Sequence, residues 1–239
     1  MSEQQIPAES EEEHTPKKGS ILRETAIILV SALVLSWLLK TFLVQAFYIP
    51  SGSMEDTLQE NDRILVSKMV PDVFDIHHGD IVVFKDPGGW LGYNVYEEDT
   101  GPQAALRKGL TFIGILPQDA GSHLVKRVIG MPGDTVKCCD ADGKLTVNGV
   151  AIDETAYLKE GEAPSHMDFE VEVPENALWL MGDNRSGSAD SRANLGGPGG
   201  GFVPIDNVVG TAFVKVWPWE RAGWLKNPGD VFEDVPKDQ

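Results

Sequence analysis

The chain has 239 residues, 41% of them hydrophobic, which is enough for one globular domain with appendages. Its formal net charge of -17 excludes a nucleic-acid binder, which needs a cationic face to displace counterions. The same charge disfavours electrostatic docking on anionic lipid, so any membrane contact has to be apolar.

Residues 1–20 hold almost nothing apolar and carry Glu11-Glu12-Glu13, which predicts a disordered tail. Residues 21–47 predict a single transmembrane helix. Its apolar run from Thr25 to Phe47 is about 23 residues, enough for a hydrocarbon core of roughly 30 Å at about 1.5 Å per residue. Lys40 and Gln45 lie toward the far end, and Lys40 is placed to snorkel to the interface. A removable leader is disfavoured, because the run is too long and no small-x-small site closes it cleanly. Lys17, Lys18 and Arg23 before the span place the N-terminus in the cytoplasm, although Lys40 and Arg63 weaken that asymmetry.

Beyond the span, short runs of β-branched and aromatic residues are split by Gly, Pro and Asp, which predicts a mainly antiparallel β fold. The expected strands are Arg63–Val70, Asp80–Lys85, His123–Ile129, Thr135–Lys137, Lys144–Val147, Ala177–Met181 and Val209–Trp217. Val147-Asn148-Gly149-Val150 carries a tight-hairpin dipeptide. The main β-domain is read over 48–136 and 177–225, with an insertion at 86–122 that holds one helix around Pro102 to Leu116. A small inserted β subdomain is read over 137–176, and 226–239 as a flexible acidic tail. Cys138 and Cys139 are the only cysteines and are adjacent, which excludes a disulfide scaffold and a zinc knuckle. They can bridge each other or stay reduced, and two small structural side chains are expected rather than a redox switch. His77-His78 has no metal-ligand spacing and reads as a turn, so no metal or cofactor is expected.

Three segments carry the chemistry. The first, Tyr48-Ile49-Pro50-Ser51-Gly52-Ser53-Met54, follows the apolar span directly. By itself Ser51-Gly52-Ser53 is a capping turn. Beside a membrane span, it places a hydroxyl where membrane-tethered polypeptides can reach it. The second is Leu124-Val125-Lys126-Arg127-Val128-Ile129-Gly130, followed by Met131-Pro132-Gly133-Asp134. On a strand Lys126 shares a face with Leu124 and Val128, and burial there would disfavour its charge. A fall of about 2.5 pH units would cost roughly 3.4 kcal/mol and leave about a tenth of the amine neutral. No histidine sits in a triad-like arrangement, and no Gly-x-Ser-x-Gly elbow occurs. The third segment is Met181-Gly182-Asp183-Asn184-Arg185, with Ser188-Ala189-Asp190-Ser191-Arg192 behind it.

Together these segments resemble type I signal peptidase, a membrane-bound serine protease that cuts secretory leader peptides, over most of Ala26 to Trp219. The resemblance implies Ser53 as nucleophile, Lys126 as general base, and the Ser51 hydroxyl with the Ser53 N–H as oxyanion donors. It implies that Ser188 hydrogen-bonds the lysine amine and that Asp190 and Arg192 hold the geometry, while Asp183 can pair with Arg127. Phe47, Ile49, Met54, Leu58, Leu124 and Val125 match shallow pockets for small residues at −1 and −3, commonly Ala-x-Ala. The implied partners are secretory preproteins, the lipid bilayer and the protein-export translocon, with the catalytic domain on the outer face of the cell membrane. Two departures stand out: Ser186-Gly187 replaces a usual Asp-Asn, and Glu55-Asp56 stands where a proline often occurs. A related self-cleaving repressor would need a DNA-binding module. A catalytically silent membrane-anchored β-module would be marked by loss of Ser53 or Lys126, and both are present.

Overall fold

The computed structural model describes residues 18–91 and 123–236, and within the first helix the side chains of 23–37. The chain divides into two units, Met1–Leu38 and Leu39–Gln239. The first contains most of helix α1, Lys18–Phe42. Ile27, Ile28, Leu29 and Val30 are consecutive and all exposed, so this helix is apolar around its circumference rather than along one stripe. Its described side chains cover about 22 Å at the helical rise. Among the described residues no helix is long and apolar enough to cross a membrane.

The apolar run was expected to stay helical through Phe47, but the helix stops at Phe42. Strand β1, Val44–Tyr48, takes over and pairs antiparallel with β2, Arg63–Ser67. Val44 to Tyr48 gains a full ladder and buries Phe47, and a continuous apolar run carries no period that separates the two states. The tail expected over 1–20 lies outside the described residues as far as 17, and α1 includes 18–20. The helix expected around Pro102 to Leu116 also lies outside the described residues.

The second unit is built on two antiparallel sheets. The larger adds β3 (Ile81–Lys85), β4 (His123–Gly130), β9 (Ala177–Met181), β10 (Val203–Pro204), β11 (Val208–Trp217) and β12 (Gly223–Trp224) to the first pair. Its order is β1-β2-β11-β3-β4-β9-β10, with β12 beside β11. The smaller sheet, β7-β6-β5-β8, comprises β5 (Thr135–Cys138), β6 (Thr146–Val147), β7 (Val150–Ala151) and β8 (Phe169–Glu172). Asn148 and Gly149 both take positive φ, 53° and 79°, as the tight hairpin between β6 and β7 requires.

Alternation along β3 sets the packing. Ile81 and Val83 join Phe47, Ile49, Met54, Leu58, Ile64 and Val66 in one cluster. Val82 and Phe84 join Val128, Leu178, Leu180 and Val203 in another. A third cluster lies under the small sheet, around Val136, Leu145, Val147, Trp179 and Met181.

The C-terminal segment was expected to be a flexible tail from 226. Instead Phe232 and Val235 are only 7% and 4% exposed and belong to that third cluster. Asn227 donates to the carbonyl of His78 and to Asp80, and Asn148 donates to the carbonyl of Pro236, so polar clasps hold both ends. Cys138 and Cys139 form a vicinal disulfide at the end of β5, with Cys138 buried.

Candidate active site

The turn that carries Ser53 grows out of β1. The ladder continues past Tyr48 through Ile49, whose N–H donates to Asp62 O at 2.9 Å and whose carbonyl accepts from Asn61 N at 2.9 Å. Ser51 is extended and exposed and its side chain caps nothing. Gly52–Met54 then form a single 3-10 turn, anchored by burial of Met54 and, after it, Leu58.

Lys126 reaches this turn from β4. Its Nζ lies 2.7 Å from Ser53 Oγ and 3.0 Å from the carbonyl oxygen of Val125. Lys126 is 3% exposed and Ser53 8%. Burial lowers the amine from its ordinary value to about 8; Asp190 and Asp183 oppose the fall and Arg192 assists it. A lysine at about 8 beside a serine hydroxyl can take that proton near neutral pH.

Both carboxylates that oppose the fall are committed to arginines. Asp183 accepts from Arg127 Nε at 2.8 Å and from a second guanidinium nitrogen at 2.6 Å. Arg127 also donates to Gly79 O, and its guanidinium lies 4.3 Å from the centre of the Tyr157 ring. Asp190 holds Arg192 in the same two-pronged way, at 2.9 and 2.7 Å, and accepts from Gly182 N. Two-pronged pairs of this kind fix the geometry around the amine.

Gly182 lets the third segment approach Ser53. A Cβ there would lie 2.5 Å from Ser53 O and 2.3 Å from Ser188 Oγ. Ser188 was expected to hold the lysine amine, yet its buried Oγ has no hydrogen-bond partner among the described residues. The amine's directed contacts go to Ser53 and to the Val125 carbonyl instead.

Of the six residues expected to form the pockets, Phe47, Ile49, Met54, Leu58 and Val125 come together in one cluster. Leu124 does not; it packs against the cluster of Val82, Phe84 and Val128. Neighbours on a strand face opposite sides, so Leu124 and Val125 cannot wall the same pocket.

Sequence reasoning missed several participants. Asn184 N donates to Ser53 O at 3.1 Å, and its side-chain amide donates to Gly52 O at 2.9 Å. Thr57 Oγ1 donates to Asp183 at 2.6 Å. Glu154 and Tyr157 come from the turn after β7, where Glu154 grips Arg185 and accepts from the Tyr157 hydroxyl. The acidic stretch around Glu154 carries no local pattern that could have found it, whereas Asn184 lies between Asp183 and Arg185 in the third segment, where no role was expected of it. A cavity of about 610 Å³ lies beside the site, between Asp56-Thr57 and residues 155–162. Among the described residues no group of His, Cys, Asp or Glu is arranged to hold a metal ion.

Residues 22–217 match the family model described as "Signal peptidase, peptidase S26". A probable signal peptidase I of Mycobacterium leprae is 38% identical over 87% of this chain and 80% of its own length. Signal peptidase I of Mycobacterium tuberculosis is 37% identical over 95% of this chain and 83% of its own. Among solved structures, a signal peptidase I of Enterococcus faecalis aligns with TM-score 0.35 and 25% identity, over 57% of this chain and 95% of that one.

Proposed function

Because this chain belongs to the type I signal peptidases of the peptidase S26 family, we propose that it removes signal peptides from secretory preproteins with a Ser53/Lys126 dyad. The observation that carries the reading is the 2.7 Å separation of Lys126 Nζ and Ser53 Oγ. The neutral amine accepts the Ser53 proton while Oγ attacks the scissile carbonyl carbon. The tetrahedral oxyanion accepts hydrogen bonds from Ser53 N–H and the Ser51 hydroxyl. Collapse breaks the C–N bond, and the Lys126 ammonium returns its proton to the leaving amine, which becomes the new N-terminus. Lys126 then takes a proton from water, hydroxide attacks the Ser53 ester, and the proton passes back to Ser53 Oγ as the signal peptide leaves with a carboxylate.

The substrate binds extended along β4. Strand β9 pairs with β4 only from Arg127 onward, so the edge at Val125 faces no strand among the described residues. Peptides add to such edges through main-chain hydrogen bonds. Phe47, Ile49, Met54, Leu58 and Val125 lie beneath this edge and favour small side chains at −1 and −3. Helix α1, apolar on every face, anchors the protein with its N-terminus in the cytoplasm and its catalytic domain outside, near the translocon.

Incubating the detergent-solubilised protein with a preprotein and sequencing the new N-terminus tests this directly. Cleavage after a small-x-small segment, absent in Ser53→Ala, is expected. Cleavage by Ser53→Ala at the wild-type rate would remove the dyad from the reaction.

A further inference from the structure

The Gly52 carbonyl and the Ser53 N–H belong to one trans peptide, so they point in opposite directions. Whatever fixes the carbonyl also aims the N–H. Asn184 does this through its side chain, whose Nδ2 donates to Gly52 O at 2.9 Å beside the Glu55 N–H that closes the turn on the same oxygen at 3.2 Å; its backbone N–H holds the next peptide, donating to Ser53 O at 3.1 Å. One residue thus holds the peptide that carries the Ser53 N–H and the peptide after it.

The amide of Asn184 is itself held. Its Oδ1 accepts from Gly187 N at 3.3 Å, which sets the oxygen end and leaves Nδ2 facing Gly52. Nδ2 also reaches Glu55 Oε2 at 3.3 Å, and Lys159 Nζ grips that carboxylate oxygen at 2.8 Å. A Cβ at position 187 would lie 2.6 Å from Asn184 Nδ2, so the glycine makes room for the amide. A Cβ at position 52 would lie 2.7 Å from Glu55 Oε1, so Glu55 packs directly over the turn. Both departures from the family pattern, Glu55 and Gly187, therefore touch the same amide.

We propose that Asn184 is the positioning residue of the oxyanion site, orienting the Ser53 N–H through the Gly52 carbonyl, with Glu55 and Lys159 steadying its amide. The inference rests on Ser53 being the nucleophile. It predicts an effect on transition-state stabilisation and none on the base.

Asn184→Ala should lower kcat about 10–100-fold, less than the full loss of an oxyanion donor, while KM stays within about two-fold. The acid limb of the pH profile should stay at about 8, because Lys126 is untouched. Affinity for a peptide aldehyde, whose hemiacetal with Ser53 carries the oxyanion, should fall by the same factor as kcat. Affinity for a peptide whose scissile amide is replaced by a methylene amine should not change. Asn184→Asp keeps the acceptor for Gly187 and loses the donor, so it should be no better than Asn184→Ala. Glu55→Gln and Lys159→Ala lie farther out and should cost a few-fold in kcat and aldehyde affinity alike, which keeps the test decisive if Asn184 variants fail to fold. An unchanged kcat, a shifted acid limb, or equal loss of both affinities would overturn the assignment. Failure of the underlying dyad would show separately, as activity in Ser53→Ala.

Discussion

An amine brought to about 8 is still mostly protonated at pH 7, with about a tenth in the reactive form. Therefore kcat/KM for an Ala-x-Ala reporter should climb with pH and level off above 8, and a flat profile from pH 5 to 10 would mean that another group takes the proton. Lys126→Arg should be inactive, since guanidinium does not release its proton at any workable pH. The same burial works against folding. The unfolded chain binds more protons than the folded one between about 8 and 10.5, so this group destabilises fully below 8 and ceases to do so above 10.5. Lys126→Met should thus raise stability at pH 6 by up to about 3 kcal/mol while abolishing cleavage. The gain should fade toward pH 10.5 in urea unfolding curves, and a pH-independent difference would place its origin in packing. At the neighbouring turn, Ser51→Ala should lower kcat about 10²–10³-fold yet leave measurable cleavage, as loss of one oxyanion donor does.

At the scale of elements, the C-terminal segment behaves as a strap. Phe232 stacks on His78 with ring centroids 5.2 Å apart, and His78 pairs with the buried Asp134 at 2.6 Å. Phe232→Ala should cost about 3 kcal/mol, the lower end for a buried aromatic, and truncation after Asn227 should lower Tm at least as much. An unchanged Tm on truncation would restore the flexible tail that composition suggested. That strap was hidden because three apolar residues, Val231, Phe232 and Val235, among Asp, Glu, Lys and Pro make no period. The main strands were visible for the opposite reason: Asp80–Lys85 and Val209–Trp217 match Ile81–Lys85 and Val208–Trp217 because β-branched runs stopped by Gly, Pro and Asp leave few other states. The end of α1 was misplaced because Val44, Ala46 and Phe47 extend the apolar composition of the helix, and only pairing with β2 makes the stretch a strand. Ser53 and Lys126 stood out through their segments, 73 positions apart yet in contact. Asn184, Glu55 and Lys159 act by joining segments distant in sequence, and such bonds leave no local pattern.

For the whole molecule, the division at Leu38/Leu39 separates a helix without a core from a unit with its own clustered cores. A variant beginning at Val44 should therefore fold, since β1 and all its partners remain. It should cleave a soluble peptide at nearly the full-length rate, because Ser53, Lys126 and the pairs around them all lie beyond the cut. A preprotein embedded in vesicles is a different substrate. When α1 holds enzyme and preprotein on one bilayer, encounter becomes effectively intramolecular, and such tethering raises apparent affinity by about 10²–10⁴-fold. Residues 44–239 remain strongly acidic within a chain of net charge -17, so the truncated protein has no electrostatic attraction to anionic lipid in place of the helix. Full-length and truncated protein should then differ little on the peptide and by about 10²-fold or more on the vesicle-bound preprotein. The comparison is a single time course on each substrate, with equal enzyme and with neutral or anionic vesicles. Equal rates on the embedded preprotein would show that α1 does not bring the enzyme to its substrate, and a matching loss on the soluble peptide would show that it is needed for the fold.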